Sequence, residues 1–284
     1  MQSSITIQLV HDHAQFEDAV NLQKIYWGDD DAALVPSHML ASIANYGGHV
    51  HAAYDGDTMV GVLMGFLGAS IQPESQDAAP DRLLIMSKRM VVLPEYRGHK
   101  IGERLKLAQR DYALQHRIPL VTWTFDPMLS RNAYLNIHKL AALGQDYAVN
   151  YFGEAAAHPT LSEDRLVVNW WVDDSLTHQR LNGETLWQSA DAPILNPVTF
   201  RDGLPVPSEP AALPEENLLL LEIPSQFVAL NNVDAGLGRA WRDHGRHYFL
   251  ETLKAGYQAV DFLRRNDRTF YVLAKLENPP GFAS

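Results

Sequence analysis

The sequence predicts an α/β protein in which a mixed sheet is flanked by helices and a second, smaller α/β lobe follows. Apolar patterns typical of strands and helices alternate over the first 155 residues, which favours crossover connections. A hairpin signal within this region makes the sheet mixed rather than parallel. A proline-rich connector over 191–214 then separates a further strand, helix and hairpin. With 284 residues, the chain is near the size at which one core gives way to two.

The elements of the first region follow from their apolar spacing, with period two for strands and three to four for helices. Asp55-Gly56-Asp57 is a strong hairpin turn signal, and Ser130 and Gly144 are the expected cap and stop of the last helix. The predicted order is a strand, two helices, a hairpin, a strand, a helix, a strand, a helix and a strand. Their bounds are Ile5–Val10, His13–Trp27, Pro36–Tyr46, His49–Tyr54 with Thr58–Leu67, Leu83–Leu93, Gly98–His116, Leu120–Phe125, Ser130–Gly144 and Tyr147–Phe152.

Apolar stripes predict which helix faces are buried. The first helix carries Phe16, Val20 and Ile25 roughly in line. The helix after the fourth strand carries a stripe formed by Ile101, Leu105, Ala108 and Tyr112.

The second region is predicted to contain a strand, the connector, another strand, a long helix and a hairpin. A polar loop through Pro159 precedes it. The helix carries enough apolar surface to dock on the first lobe or on a second subunit, so a homodimer is left open. The bounds are Leu166–Val172, Leu218–Ile223, Ala235–Gly256 and Ala259–Leu276, within domains 1–155 and 156–284.

Composition excludes several classes of protein. The chain has no Cys, which excludes disulfide scaffolds, thiolate zinc fingers and cysteine-dependent enzymes. Its formal charge of −11 argues against broad nucleic-acid binding and against anionic membranes. The longest apolar stretch, Met59–Ala69, is shorter than the roughly 20 residues that span a bilayer. The first residues lack the basic region of a signal peptide, so a cytoplasmic location is expected.

The segment Val91–Leu105 carries the strongest chemical signal. A buried strand ends at Pro94, a tight turn with Arg97 and two glycines follows, and a helix begins, so unpartnered backbone N–H groups point into one small space. Five basic residues and one acid between positions 97 and 110 add a local charge of +4. The segment therefore predicts a site for a small phosphate-bearing molecule. The alternative is a plain strand-to-helix turn beside a solvated basic face.

The same segment resembles the GNAT superfamily of acyl-CoA-dependent N-acyltransferases, together with Thr122–Pro127 and the helix through Leu140. The resemblance implies a GNAT-like fold over about the first 155 residues, with acyl-CoA as co-substrate and no metal. It implies transfer of an acyl group, acetyl or succinyl, to a primary amine of a small molecule. The C-terminal extension is similar to a longer branch associated with N-acylation of amino acids.

The resemblance also assigns binding residues. The strand before the turn would bond the pantetheine amides through its backbone, and the turn would hold the CoA diphosphate through main-chain N–H groups. Apart from the resemblance, the spacing of Asn132 and Asn136, four apart on one face of the next helix, makes them candidates to bond the pantetheine or its neighbour. The corresponding strand and turn positions are Met90, Val91, Val92, Arg97, Gly98, Lys100, Ile101 and Gly102.

Three positions depart from the family pattern. Lys100 replaces the central glycine of the turn, and we expect its ammonium to lie on a phosphate. Ile137 stands where the family places a tyrosine that protonates the departing CoA thiolate, and Ala141 stands where glycine is common. The general acid therefore cannot be carried over from the family.

Acyl transfer by direct attack in a ternary complex requires a base for the amine and an acid for the thiolate. Asp126, at the end of a strand, is the first candidate for the base, although Asp-Pro there also reads as a turn. Tyr134 and His138 are candidates to replace the missing acid, the alternatives being a core tyrosine and a solvated histidine. On the preceding strand, Ser87, Lys88 and Arg89 are candidates to contact an acidic substrate or acyl group, although Lys88 and Arg89 should point to opposite faces.

Two other functions remain open. The replacements at Lys100 and Ile137 are compatible with a catalytically silent CoA-binding regulatory module. Two His-x-His pairs suggest a metal-dependent hydrolase, but no suitably spaced carboxylates accompany them, and solvated or hydrogen-bonded histidines are the better interpretation. The pairs are His11 with His13 and His49 with His51.

Overall fold

The computed structural model describes residues 5–29, 34–69, 83–153 and 164–281. The chain forms two compact units, one comprising the described residues up to Trp123 and the other Thr124–Gly281. The division falls inside a strand, so the second unit begins earlier and spans more residues than the smaller lobe expected from the sequence. The boundary at 155/156 and the loop through Pro159 lie outside the described residues, and that boundary stays a prediction.

The first unit is a sheet in the order β1-β2-β3-β4-β5 with three helices. Neighbouring strands from β1 to β4 are antiparallel, and β4 pairs in parallel with β5, as the crossover through a helix requires. The elements are β1 (Thr6–Leu9), α1 (His13–Trp27), α2 (Ser37–Asn45), β2 (His49–Asp55), β3 (Thr58–Ala69), β4 (Leu83–Val92), α3 (Ile101–Gln115) and β5 (Leu120–Phe125).

The second unit contains a sheet in the order β7-β6-β11-β12-β10, whose neighbouring strands are antiparallel. The proline-rich connector contains a short hairpin, β8-β9. The elements are α4 (Ser130–Ala133), a π-helical turn (Tyr134–Lys139), β6 (Leu143–Ala148), β7 (Arg165–Trp171), α5 (Ser175–Leu181), β8 (Thr199–Arg201), β9 (Leu204–Val206), β10 (Leu218–Ile223), α6 (Phe227–Val233), α7 (Ala235–Lys254), β11 (Tyr257–Arg265) and β12 (Arg268–Lys275).

The helix predicted from Ser130 to Gly144 is shorter than expected. It changes to a π-helical turn after Ala133 and ends near Lys139, and Ala141 then takes the left-handed φ of 57° that often ends a helix. Gly144 lies inside β6, where a Cβ would come within 2.9 Å of side-chain atoms of both Ala259 and Leu166. This glycine serves close packing in the sheet, and the prediction that it ends the helix was wrong.

The buried face of α3 also differs from the predicted stripe. Ala108 and Tyr112 are partly exposed, because the buried row follows a strict four-residue spacing. That row consists of Ile101, Leu105, Gln109 and Ala113, with Lys106 beside it. On α1, Phe16 and Val20 are buried as predicted, but Ile25 is 65% exposed and Gln23 is buried instead. Polar residues thus occupy buried positions on both helices.

The apolar face of α7 makes packing contacts within its own unit, and a homodimer stays a prediction. Phe249 stacks with Tyr147 of β6 at a ring distance of 5.4 Å and meets Tyr271 of β12 at 5.0 Å. The Trp241 indole N–H donates to the carbonyl of Pro205 in β9 at 2.8 Å. Among the helices of the described chain, none has the length and apolarity to cross a bilayer.

Candidate functional site

The second half of β4 extends beyond its ladder with β5. In the described residues, β4 pairs with β5 over Leu84–Met86 only, whereas pairing with β3 continues to Val92. The strand segment Met90–Val92 is therefore held by β3 on one edge while its other edge lies past the end of the parallel ladder. Backbone amides on such an edge suit an extended ligand that carries amides of its own.

The turn after β4 has the backbone geometry of an anion cradle. Gly98 has φ 89°, and Lys100 at the N-cap of α3 has φ 58° and ψ 17° in the left-handed region. The Lys100 side chain makes no capping hydrogen bond, so the first N–H groups of α3, from Ile101, have no intrahelical partner. A Cβ at Gly98 would meet nothing within 4 Å, so space is open beside the turn. These N–H groups fit a phosphate or diphosphate.

Fewer basic side chains line this turn than the sequence count suggests. Arg97 and Lys100 are exposed at the turn, and the Arg97 guanidinium lies 5.5 Å from the centre of the Tyr26 ring. Arg104 donates instead to the carbonyl of Ile5 at 2.8 Å. Lys106, which the sequence count placed on the basic face, is only 2% exposed and points into the core.

A bulge in β4 separates the three candidate acceptor-binding residues. Ser87 pairs with Gly65 and Arg89 with Met64, so Lys88 is an extra residue between them. The insertion turns Ser87 toward α3 and Arg89 toward α1 and leaves Lys88 exposed. Whether these residues contact an acidic group stays a prediction.

Arg89 packs against α1. Its guanidinium lies 4.2 Å from the centre of the Trp27 ring and donates to the side-chain oxygen Oε1 of Gln23 at 3.4 Å. Burial lowers the pKa of the Arg89 guanidinium.

Lys106 lies at the centre of a buried polar cluster that the sequence analysis did not identify. Its ammonium donates to Ser87 Oγ at 2.9 Å and to Gln109 Oε1 at 3.1 Å, and it lies 3.4 Å from the centre of the Trp123 ring. The row formed by Ile101, Leu105 and Gln109 at four-residue spacing was the signal that could have found it. We call Ser87, Lys106, Gln109, His49 and His51 the Lys106 cluster.

The two histidines extend this cluster along β2. The Gln109 amide donates to His49 Nε2 at 2.8 Å, so neutral His49 carries its proton on Nδ1 and donates it to His51 Nδ1 at 2.9 Å. Burial lowers the pKa of His49 well below its ordinary value, with smaller contributions from His51 and Lys106, and lowers that of His51 to about 4. Burial likewise lowers the pKa of Lys106.

The histidine pairs form hydrogen bonds and surface contacts. His49 and His51 bind each other through Nδ1, and His13 lies 3.8 Å from the Glu17 carboxylate at the surface. Among the residues that the structure describes, no group of three or more His, Asp or Glu side chains is arranged to hold a metal ion.

Asp126, at the end of β5, forms hydrogen bonds and an ion pair through its carboxylate. Its carboxylate accepts from the backbone N–H of Met128 at 3.0 Å and forms a two-pronged ion pair with Arg242 at 3.1 and 3.2 Å. The side chain is buried and serves both the turn and the ion pair. Its role as a general base stays a prediction.

Tyr134 and His138 lie on the π-helical turn and stack at 4.7 Å. His138 Nδ1 bonds Asp261 Oδ1 at 2.8 Å, and the other carboxylate oxygen accepts from Arg180 at 2.7 Å. Tyr134 is 41% exposed, not in the core, and Asp261 orients the His138 ring through Nδ1. Their proposed role as acids stays a prediction.

The π-helical turn also separates Asn132 and Asn136. Asn132 is exposed, whereas Asn136 is buried, because the wider turn breaks the four-residue spacing that would place both on one face. Ile137 is fully buried and carries no polar group.

Residues 16–135 match the model of the acetyltransferase (GNAT) family. This region is a GNAT acetyltransferase domain. The GNAT domain contains β4, the cradle turn and α3, and with them every predicted CoA-binding residue except Asn136. The resemblance drawn from Val91–Leu105 is therefore confirmed at the level of the family.

Solved structures of several acetyltransferases are similar to parts of the chain. Arabidopsis thaliana NAA60 with acetyl-CoA has 12% identity and a TM-score of 0.48, covering 60% of this chain and 100% of that one. The Escherichia coli ribosomal-protein-S18-alanine N-acetyltransferase has 12% identity and a TM-score of 0.45, covering 65% and 99%. An aminoglycoside acetyltransferase from an uncultured soil metagenomic sample has 17% identity and a TM-score of 0.36, covering 43% and 78%. No curated protein sequence matches the chain.

Proposed function

We propose that the protein transfers an acyl group, acetyl or succinyl, from acyl-CoA to the primary amine of a small molecule. An amino acid is the acceptor that we favour, attacking the thioester directly in a ternary complex. The observation that carries this proposal is the cradle of unpartnered N–H groups at the start of α3. The cradle comes directly after β4, which continues beyond the last residue that pairs with β5. A GNAT domain at the same residues supports it.

The cradle fits the diphosphate of CoA, and the strand fits its pantetheine arm. The residues Arg97–Gly102 would hold the diphosphate through main-chain N–H groups, with the Lys100 ammonium as a point charge on one phosphate. Met90–Val92 would pair with the pantetheine amides. When bound, acyl-CoA supplies an activated carbonyl, and the protein's part is to orient it and to move protons.

Basic side chains on β4 favour an acceptor or acyl group that carries a carboxylate. Lys88 is exposed at the bulge and Arg89 follows it, which supports succinyl transfer or an amino-acid acceptor. Asp126 remains the candidate for the base, and Tyr134 and His138 remain candidates for the acid.

A ligand and activity screen tests the proposal. We expect CoA and acetyl-CoA at millimolar concentration to raise the melting temperature, because a ligand that binds only the folded state stabilises it. We expect thiol release with acetyl-CoA or succinyl-CoA and an amino acid of either hand. No thermal shift with any of these ligands would contradict the proposal.

A catalytically silent CoA-binding module is the second candidate. It is favoured by Ile137, which is 0% exposed and cannot act as an acid where the family has a tyrosine. A thermal shift with CoA but no thiol release with any of the amino acids tested would support this function over acyl transfer.

A further inference from the structure

The Lys106 cluster contains a buried ammonium that packing alone does not explain. Removing a charge from water without a counter-charge is costly, and an apolar side chain of similar size is often more stable. In the described residues, no carboxylate forms an ion pair with Lys106, whose partners are a hydroxyl, an amide and an indole ring. A buried group of this kind is a candidate for a chemical role.

The contacts of Lys106 suit the charged form and leave a proton on Ser87. An ammonium has three N–H donors and no acceptor, and Lys106 has three neighbours that can accept: Ser87 Oγ, Gln109 Oε1 and the face of Trp123. Because Ser87 Oγ accepts from Lys106, its own O–H remains available as a donor to another group.

Ser87 also has a defined place relative to the cradle. It directly follows Met86, the last residue of β4 that pairs with β5. It precedes Val92 by five residues, or about 16 Å at roughly 3.3 Å per residue. A pantetheine arm that starts at the cradle and lies along Val92 and Met90 therefore extends toward Ser87. The sulfur is at the far end of the arm, so it would be the part of CoA that comes nearest to Ser87.

We propose that the Ser87 hydroxyl donates a proton to the sulfur of CoA as the acyl group departs, and that Lys106 is the positioning residue behind it. The inference deepens the proposed function and rests on it, since it requires acyl-CoA along β4. It gives the chain an acid for the thiolate that Ile137 cannot provide.

The step balances without another reactant. As the C–S bond breaks, its electron pair goes to sulfur, the Ser87 O–H bond breaks and an S–H bond forms. A proton from Lys106 passes to Ser87 Oγ, which leaves Lys106 as a neutral amine. The attacking amine loses one proton to solvent or to a base as the C–N bond forms, and Lys106 regains one from solvent.

The histidines and the tyrosine around Lys106 are not expected to change charge near neutral pH. His49 and His51 on β2 have pKa values lowered by burial, and burial raises the pKa of Tyr112 on α3. All three are therefore neutral near pH 7. His116 on α3 stacks on Tyr112 at 4.1 Å and is the nearby group to control for.

Burial also lowers the pKa of Lys106, which makes its ammonium a stronger proton donor toward Ser87 Oγ.

The test compares CoA with desulfo-CoA, which lacks the sulfur. Calorimetry with the full chain measures both Kd values from pH 6 to 9. If the Ser87–Lys106 pair stabilises the thiolate, the preference for CoA over desulfo-CoA grows with pH by at least tenfold. Ser87→Ala and Lys106→Met should remove this growth, and Ser87→Thr, which keeps the hydroxyl, should restore it.

Two matched controls separate this effect from a general loss of stability. Lys24→Met removes a partly exposed lysine from α1, and His116→Gln removes the ring that stacks on Tyr112. Both variants should keep the wild-type pH dependence. In turnover, Ser87→Ala should lower kcat at least tenfold while KM for acyl-CoA changes less than twofold.

The outcomes distinguish the role of Ser87 from CoA binding itself. A wild-type preference that does not change with pH, or one that Ser87→Ala and Lys106→Met both retain, overturns the role of Ser87 while leaving CoA binding intact. If Lys106→Met does not fold, Ser87→Ala and Ser87→Thr still decide it. If CoA and desulfo-CoA both fail to bind the wild type, the proposed function itself falls.

Discussion

The two units treat buried charge in opposite ways. In the first unit, the Lys106 ammonium is surrounded by neutral partners. In the second, α7 carries Arg242 and Arg246 one turn apart, and each forms a two-pronged ion pair with an aspartate. Paired charges of this kind lock elements together, whereas an ammonium without a counter-ion is available to act on a bound group. The difference teaches that burial alone does not indicate a chemical role, and that the partners decide.

The largest expected effect on stability comes from breaking the ion pair between Asp164 and Arg246 in the second unit. Asp164 accepts from Arg246 at 2.6 and 2.8 Å, from the Tyr147 hydroxyl at 3.0 Å and from the Asn150 N–H at 3.1 Å. We expect Asp164→Asn to lower the free energy of unfolding by about 3–5 kcal/mol, because it leaves Arg246 beside a neutral group. Urea denaturation measures this value, and a loss below 1 kcal/mol would contradict a locking role.

Acid should weaken the same pair. Burial tends to raise the pKa of Asp164, but the hydrogen bonds from Arg246, the Asn150 N–H and Tyr147 outweigh it, and the pKa is lowered. The unfolded state therefore binds more protons, so this stabilisation is present above about pH 4 and is lost as the pH falls through the folded pKa. Wild type should lose stability on acidification more steeply than Asp164→Asn, measured by urea denaturation between pH 2 and 6.

The next effect concerns the packing around the Lys106 cluster. A Cβ at Gly65 would lie 2.7 Å from His49 Nε2, 2.8 Å from Ile85 and 3.0 Å from Gln109 Nε2. We expect Gly65→Ala to cost about 1–3 kcal/mol of unfolding free energy, because the histidine and the amide must move apart. Gly98→Ala is unsuitable as a control because of its positive φ, so Ala108→Ser on the partly exposed face of α3 serves instead. An unchanged midpoint of urea denaturation in Gly65→Ala would show that the side chains of the cluster move to accommodate the added methyl group.

Replacement of Lys106 should act in the opposite direction. We expect Lys106→Met to raise the free energy of unfolding by about 1 kcal/mol at pH 7. Arg246→Met should instead lower the free energy of unfolding by about 3–5 kcal/mol. Because the folded pKa of Lys106 is lowered, the unfolded state binds more protons between that pKa and about 10.4, so wild-type stability rises with pH there. The gap between variant and wild type should therefore narrow at alkaline pH. Strong destabilisation by Lys106→Met would make the lysine structural.

The smallest effect on stability is expected at the cradle. Lys100 holds φ 58°, which glycine adopts without strain, so Lys100→Gly should raise the unfolding free energy by at most about 1 kcal/mol. The same change removes an ammonium from the cradle and should weaken CoA binding about tenfold by calorimetry. Unchanged CoA affinity would show that the main-chain N–H groups act without this side chain.

Sequence reasoning succeeded where local patterns dominate. The bounds of α1, β5 and β10 agree with the predicted His13–Trp27, Leu120–Phe125 and Leu218–Ile223, because capping, alternation and turn residues near these segments in the chain fix their ends. It failed at the predicted end of the helix at Gly144, where contacts with β7 and β11 require a glycine inside a strand. Spacing alone cannot show which close contacts a glycine serves.

The same distinction holds for the functional region: local sequence predicts the cradle, but it does not predict the Lys106 cluster. The order of residues from Val91 to Leu105 by itself determined a strand, a tight turn with two glycines and a helix start, because those features depend on neighbours in the chain. Only the tertiary structure decided that Lys106 leaves the basic face and meets Ser87, since the bulge at Lys88 and the pairing of β3 with β4 turn that serine toward α3. The environment of a side chain depends on strands distant in sequence, and it is this environment that separates a solvated lysine from a buried one.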